Sequence, residues 1–133
     1  MNNIIWKYQV PLSNLKIFSE IEIKRSINFP HELKNFLIKT NAATPSKIHF
    51  LAGTTEHILG AILSYNKEDT DIDTVFTAFD LISDNSLVPF GIDPFGNYIC
   101  ESLIDKKVIF WDHETEIVSY TGQELLEFVS SLY

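Results

Sequence analysis

The sequence predicts a single α+β domain in which N-terminal helices and a C-terminal helix pack on an antiparallel-rich β-sheet. Apolar residues recur at helical spacing near both ends of the chain, and short apolar runs separated by turn residues lie between them. The length of 133 residues fits one domain, which we assign to residues 1–133. An apolar content of 45% is enough to build a core without disulfides or metals.

Two helices are predicted before residue 42. Ser13 is a candidate N-cap for the first helix, and Pro30 lies in the first turn of the second, where proline is tolerated. Asn41 follows the second helix and can end it in a left-handed conformation. The apolar residues that define these helices are Leu15, Phe18 and Ile21, then Leu33, Phe36 and Leu37.

After residue 46 the pattern changes to short strands. The Asp-Pro-Phe-Gly run at 93–96 predicts a hairpin turn in which Gly96 has a positive φ. Residues 74–80 are ambiguous, because their apolar side chains also fit helical spacing. The predicted strands are 47–51, 58–65 with a break at Gly60, 87–92, 98–103, 107–112 and 117–120.

A final helix is predicted after Thr121. The hydroxyl of Thr121 lies three residues before Glu124, which is the spacing of a capping box. Leu125, Phe128 and Leu132 then form an apolar stripe. Across the whole chain, the residues predicted to be buried around one sheet are Phe36, Leu37, Phe90, Ile99, Phe110, Trp111 and Leu125.

Composition argues against several classes of partner. The net charge of −8 disfavours nucleic acid and anionic membranes, since both attract basic surfaces. No apolar run approaches bilayer length, and the N-terminus lacks the pattern of a signal peptide, so we expect a cytoplasmic protein. The single cysteine, Cys100, excludes an internal disulfide and a cysteine-rich zinc site, and its apolar surroundings predict an inert buried thiol.

Charge is divided unevenly along the chain. Residues 1–66 carry seven basic and four acidic side chains, whereas residues 67–133 carry three basic and fourteen acidic ones. Many of these acids fall in predicted turns, where side chains are free to meet a partner or simply to keep the protein soluble. The predicted partner-binding residues are Glu68, Asp69, Asp71, Asp93, Asp112, Glu114 and Glu116.

Evidence for catalysis is weak. Asp112, His113 and Glu114 could form a base or a metal site, but adjacent residues on an extended segment point to opposite faces. Asp69, Asp71 and Asp73 alternate as in a calcium loop without its glycine and closing glutamate. The serines lie in no nucleophile elbow and the glycines form no phosphate loop. We therefore predict no enzyme activity, no catalytic residue, no metal, no cofactor and no small-molecule substrate.

Three motifs resemble those of the SUKH superfamily, in the order and at the spacing of that family. Residues 28–37 are similar to its Pro-containing helix that ends in Phe-Leu, and residues 88–100 to its hairpin with Asp-x-x-Gly-Asn. Residues 108–114 resemble its strand ending in Trp-Asp-His-Glu. The match runs from about residue 15 to the end, with one departure at 41–43, where Asn-Ala-Ala replaces the usual Asn-Gly.

The resemblance implies a binding domain. Bacterial members of this superfamily are mostly immunity proteins that neutralise a toxin of a polymorphic or contact-dependent system by binding it, and some of these toxins are nucleases. Members of the fungal branch are regulatory adaptors instead. The expected partner is therefore a protein, most often a toxin domain, and the alternative is an adaptor that binds an enzyme outside any toxin system.

Overall fold

A computed structural model describes residues 3–133 and confirms the α+β class. Four helices and nine strands are present in this range. The helices are α1 (Ile17–Arg25), α2 (His31–Thr40), α3 (Val75–Leu81) and α4 (Leu125–Ser131). The strands are β1 (Trp6–Lys7), β2 (Thr44–Pro45), β3 (His49–Ala52), β4 (Thr55–Ile58), β5 (Ala61–Ile62), β6 (Leu87–Ile92), β7 (Tyr98–Ser102), β8 (Val108–Trp111) and β9 (Val118–Tyr120).

Five strands form the main sheet, which is antiparallel throughout in the order β5-β6-β7-β8-β9. The pairs β1–β2 and β3–β4 form two separate ribbons. The register of β6 against β7 shifts between Pro89 and Gly91, so Phe90 forms a bulge. Every residue of β6, β7 and β8 is buried, which places the core on both faces of these strands.

Helix α4 and the β3–β4 ribbon cover one face of the sheet. The ring of Phe128 packs edge-to-face against Phe50 at 5.0 Å and against Phe90 at 6.1 Å. Phe50 in turn lies 6.3 Å from Phe110 of β8. By strand alternation, the side chains of Ile99 and Glu101 in β7 belong to this same face, and the segment after α3 lies at the opposite face.

Most of the predicted core is confirmed. Leu37, Phe90, Ile99, Phe110, Trp111 and Leu125 are buried. Phe36 is only half-buried, and its ring packs edge-to-face on Trp6 at 5.5 Å and on Phe90 at 6.3 Å. The ambiguous segment at 74–80 is helical. Gly96 has φ 86°, as the turn prediction required, and Gly60 interrupts the predicted strand 58–65 between β4 and β5.

Two predicted helix starts are wrong because the side chains involved bond elsewhere. Helix α1 begins after Lys16, and the hydroxyl of Ser13 donates to Asn66 Oδ1 at 3.1 Å. Thr121 Oγ1 donates to the carbonyl of Val108 at 2.7 Å. The capping box of α4 is formed one turn later by Glu124 and Glu127.

The end of α2 also differs from the prediction. Asn41 has φ −48°, and its buried side chain accepts a hydrogen bond from the Tyr65 N–H at 2.7 Å and donates to the Val10 carbonyl at 3.0 Å. Ala42 takes the left-handed conformation instead, with φ 63°. Alanine therefore occupies a left-handed position that glycine, which has no Cβ, would adopt without strain.

No helix within residues 3–133 combines the length and the hydrophobicity needed to span a bilayer.

Replacing Ala42 by Gly should stabilise the protein. Removing the Cβ relieves the left-handed strain, which outweighs the added freedom of the unfolded chain, so we expect a gain of about 0.5–1 kcal/mol in the free energy of unfolding. Urea denaturation measures this change. The control is Ala43→Gly, which removes a buried Cβ at a residue without positive φ and should destabilise. An Ala42→Gly variant as unstable as that control would contradict the prediction.

Candidate functional site

The β6–β7 turn is organised around the carboxylate of Asp93. This carboxylate accepts hydrogen bonds from the Phe95 N–H at 2.9 Å, the Asn97 N–H at 2.8 Å and the Asn97 side-chain amide at 2.9 Å. Asp93 is only 7% exposed. The carboxylate therefore holds the turn from within, and the role of Asp93 in partner binding stays a prediction.

The β8–β9 connection is a second turn, organised by Asp112. Its Oδ1 accepts hydrogen bonds from the Glu114 N–H at 2.8 Å and the Thr115 N–H at 3.2 Å. These backbone hydrogen bonds lower the pKa of Asp112 below its usual value. The extended alternation assumed for residues 112–114 is wrong, because the strand ends at Trp111 and Asp112 begins a turn.

Asn97 joins the two turns. Its Oδ1 accepts hydrogen bonds from the His113 N–H at 2.9 Å and from His113 Nδ1 at 2.6 Å. An amide oxygen only accepts, so Nδ1 is the ring nitrogen that carries hydrogen. His113 Nε2 lies 3.8 Å from Glu114 Oε1. Within residues 3–133, no three His, Cys, Asp or Glu side chains are placed to share a metal ion.

The exposed side chains of these turns form a surface of mixed character. Phe95 is 70% exposed and Ile117 is 63% exposed, although both are large and apolar. Exposed carboxylates lie beside them in the same turns. We call this the hairpin-tip surface, and it consists of Phe95, Asp112, Glu114, Glu116 and Ile117.

The remaining predicted acids lie in a different segment, between β5 and α3. Glu68 and Asp71 are exposed, whereas Asp69 is half-buried and its Oδ2 accepts a hydrogen bond from Ser64 Oγ at 2.6 Å. No hydrogen bond or ion pair among the described residues links this segment to the hairpin-tip surface. The seven predicted acids are thus divided among three connections: three lie between β5 and α3, Asp93 lies between β6 and β7, and three lie between β8 and β9.

A pocket of about 640 Å³ lies at the other end of β7. It is formed where the first turns of α2 and α4 approach the end of β7 and the β7–β8 loop. Its walls include apolar and charged side chains. The residues that line it are Asn28, Phe29, Pro30, His31, Glu32, Glu101, Leu103, Lys106, Glu124 and Leu125.

Glu101 is the unusual residue of this pocket. It is only 7% exposed, but its carboxyl oxygens still reach the water of the pocket, and they make no hydrogen bond or ion pair within residues 3–133. Burial raises the pKa of Glu101 from 4.5 to about 7, and the negative charges of Glu32 and Glu124 contribute to the increase. Sequence reasoning missed Glu101, because the strand 98–103 was interpreted only as an apolar return strand. The sequence does contain one indication: Glu101 lies two residues after Ile99, so strand alternation places both side chains on the same covered face.

Burial also shifts the pKa values of Cys100 and His57, and of these two only Cys100 lies in the core. Burial raises the pKa of the Cys100 thiol, so that thiol stays protonated and unreactive, as its apolar sequence context predicted. Burial also lowers the pKa of His57, whose ring stacks on Phe110 at a centroid distance of 3.8 Å. Neither side chain forms a hydrogen-bonded nucleophile–base pair with the other.

Comparison with known proteins identifies the family. The family model described as SUKH_6, SMI1-KNR4 cell-wall, matches residues 16–129, which is most of the chain. The chain belongs to the SUKH superfamily. No curated protein matches it. Both turns of the hairpin-tip surface and the whole lining of the pocket lie within the matched part of this SUKH domain.

Replacing Asp93 by Ala should destabilise the SUKH domain, because its carboxylate holds the β6–β7 turn from within. Three hydrogen-bond donors would lose a charged acceptor, which corresponds to about 2–3 kcal/mol in the free energy of unfolding. The matched control is Asp71→Ala, at an exposed loop position, with a change below about 0.5 kcal/mol. Chemical denaturation of the two variants compares them, and equal stabilities would show that Asp93 does not hold the turn.

Replacing Glu101 by Gln should stabilise the domain in a pH-dependent way. The folded-state pKa of Glu101 is raised, so its protonated form contributes stability that is complete below pH 4.5 and is lost as the pH rises through about 7. Glutamine cannot ionise and avoids this loss. We expect a gain of about 2 kcal/mol at pH 8, reduced for solvent access through the pocket, and little gain at pH 4.

Urea denaturation of both proteins at pH 4 and pH 8 measures this difference. Glu114→Gln, at an exposed position, should show a much smaller dependence on pH. If the difference in unfolding free energy between Glu101→Gln and the original protein were the same at pH 4 and pH 8, Glu101 would not be held in a buried state.

Proposed function

We propose that this SUKH domain is a non-catalytic immunity protein, which binds a cognate toxin of a polymorphic or contact-dependent system in the cytoplasm and neutralises it. The observation that carries the proposal is the hairpin-tip surface. It combines exposed carboxylates with two exposed apolar side chains, Phe95 and Ile117, on turns whose backbone is fixed by internal hydrogen bonds.

The chemistry of this surface suits a protein partner. Exposed phenyl and aliphatic side chains supply apolar surface, and burying that surface against a partner lowers the free energy of the complex. The turns are already ordered by Asp93, Asn97 and Asp112, so binding costs little additional conformational entropy. A rigid projecting surface of this kind can enter the concave active site of an enzyme and block it.

The charge of the surface favours a basic partner. Glu114 and Glu116 are exposed, and the second half of the chain carries a large excess of acids. Toxin domains that cleave nucleic acid have basic active sites, since they bind phosphates. A nuclease toxin is therefore the partner that this surface would attract most strongly, through electrostatic steering.

Several titratable groups give the proposal further support, because they are occupied by structural roles. The Cys100 thiol is buried, and His113 bonds to an amide oxygen instead of a nucleophile. Asp112 accepts two backbone hydrogen bonds. Blocking a toxin requires none of these groups to react.

The proposal is tested by capturing the partner with the tagged chain and then expressing that partner alone and together with the chain. We expect the partner to arrest growth when expressed alone and growth to recover on co-expression. A captured enzyme that does not arrest growth, and whose activity the chain alters, would instead establish an adaptor. No captured partner from the native cytoplasm would contradict the proposal.

Association rates of the purified pair test the surface. The double variants Glu114→Gln/Glu116→Gln and Glu68→Gln/Asp71→Asn each remove two exposed charges, so they change the net charge equally. At low salt the first should slow association by about tenfold and the second much less, because steering depends on charges near the interface. The difference should shrink above ~0.15 M salt. Equal rates for the two variants would exclude the hairpin-tip surface as the interface.

A further inference from the structure

The pocket around Glu101 lies away from the hairpin-tip surface. Tyr98 begins β7 next to the Asp93–Asn97 turn, whereas Glu101 lies three residues further along the strand, about 10 Å away. The two sites therefore occupy opposite ends of the same strand. We propose that this pocket receives an arginine side chain of the partner protein, with Glu101 as the carboxylate that pairs with its guanidinium.

The unpaired carboxyl group of Glu101 in the pocket lining is the first reason. Carboxyl groups with little contact with water are ordinarily hydrogen-bonded or ion-paired, because partial burial weakens their hydration. Glu101 is 7% exposed, its oxygens can contact only the water of the pocket, and no group within residues 3–133 pairs with them. A donor that enters the pocket from outside would satisfy this group.

The charges around Glu101 identify that donor as a cation. Glu32 and Glu124 are the two charged residues whose electrostatic effect on Glu101 is pronounced, and both are negative. Lys106 and His31 also line the pocket, but neither forms an ion pair with Glu101. A bound cation would relieve the mutual repulsion of the three carboxylates, whereas an anion would increase it.

The shape of the site favours arginine over a metal ion or a lysine. No three of its acidic and histidine side chains are placed to share a metal ion within the described chain. A planar guanidinium with five donors can instead reach separated carboxylates, and it is less strongly hydrated than an ammonium group. Phe29, Leu103 and Leu125 offer apolar walls for the methylene groups of the side chain.

Size favours a peptide segment over an isolated ion. A volume of about 640 Å³ accommodates an arginine side chain together with the adjoining backbone. The inference rests on the proposed function in one respect only, since it assumes that the partner is a protein. It does not depend on whether that protein is a toxin.

Binding should depend on pH in a defined direction. A cation binds the ionised form of Glu101, whose pKa of about 7 leaves it mostly protonated at pH 6 and mostly ionised at pH 8. Affinity should therefore rise by about tenfold over this interval. The other titratable groups that face Glu101 are Glu32 and His31 of α2, Glu124 before α4 and Lys106 of the β7–β8 loop, together with Tyr65, which stays neutral.

The test is an NMR titration of the full chain with N-acetyl-arginine amide, with N-acetyl-citrulline amide as the neutral ligand of the same shape. We expect saturable shifts of backbone signals around Glu101, Leu103 and Glu124 for the arginine compound, in the millimolar range. Binding should weaken about tenfold in Glu101→Gln. It should be unchanged in the matched control Glu68→Gln, which removes the same charge at an exposed position outside the pocket.

Two further comparisons complete the test. His31→Gln should retain the increase in affinity between pH 6 and pH 8, and Glu101→Gln should lose it. Equal binding of the citrulline compound, or unchanged arginine binding in Glu101→Gln, would overturn the proposal. If the captured partner binds Glu101→Gln normally and the arginine compound does not bind, the pocket proposal fails while the immunity function stands.

Discussion

The burial of the β6–β7 hairpin on both of its faces is the constraint on which the rest of this structure depends. A sheet covered on both sides requires two layers of packing, and the chain supplies them with α4 and the β3–β4 ribbon on one face and the segment after α3 on the other. The same burial encloses Glu101, because its strand position directs it toward the covered face. The turn between β6 and β7, in contrast, exposes the side chain of Phe95 to solvent.

Alternation, helical spacing and turn residues predicted the α+β architecture, although they left the segment 74–80 ambiguous and did not predict β4. Asp-Pro-Phe-Gly at 93–96 defined the central hairpin, and the strands on either side followed from their apolar runs. Helix ends were less predictable. Asn41 has a side chain that commonly ends helices, but in this chain it bonds to Tyr65 and Val10, which are distant in sequence. Hydrogen bonds to residues that are distant in sequence therefore override the local sequence preferences for helix capping.

The candidate site was only partly predictable for a related reason. An acidic residue in a turn looks the same in a sequence whether its carboxylate points outward, as in Glu114, or inward, as in Asp93. Proximity between Asn97 and His113 depends on the pairing of β7 with β8, which composition does not reveal. Glu101 was overlooked because the pocket around it is assembled from three separate segments of the chain.

The hydrogen bonds of Asp93 and Asn97 also have an evolutionary consequence. They fix the backbone of both turns from within. The fold therefore does not depend on the outward side chains of Phe95, Glu114 and Ile117. Those positions are free to change while the turns keep their shape. A lineage could therefore exchange one partner for another by drift at a few outward positions, and a protein engineer could graft a new recognition sequence there onto an unchanged scaffold.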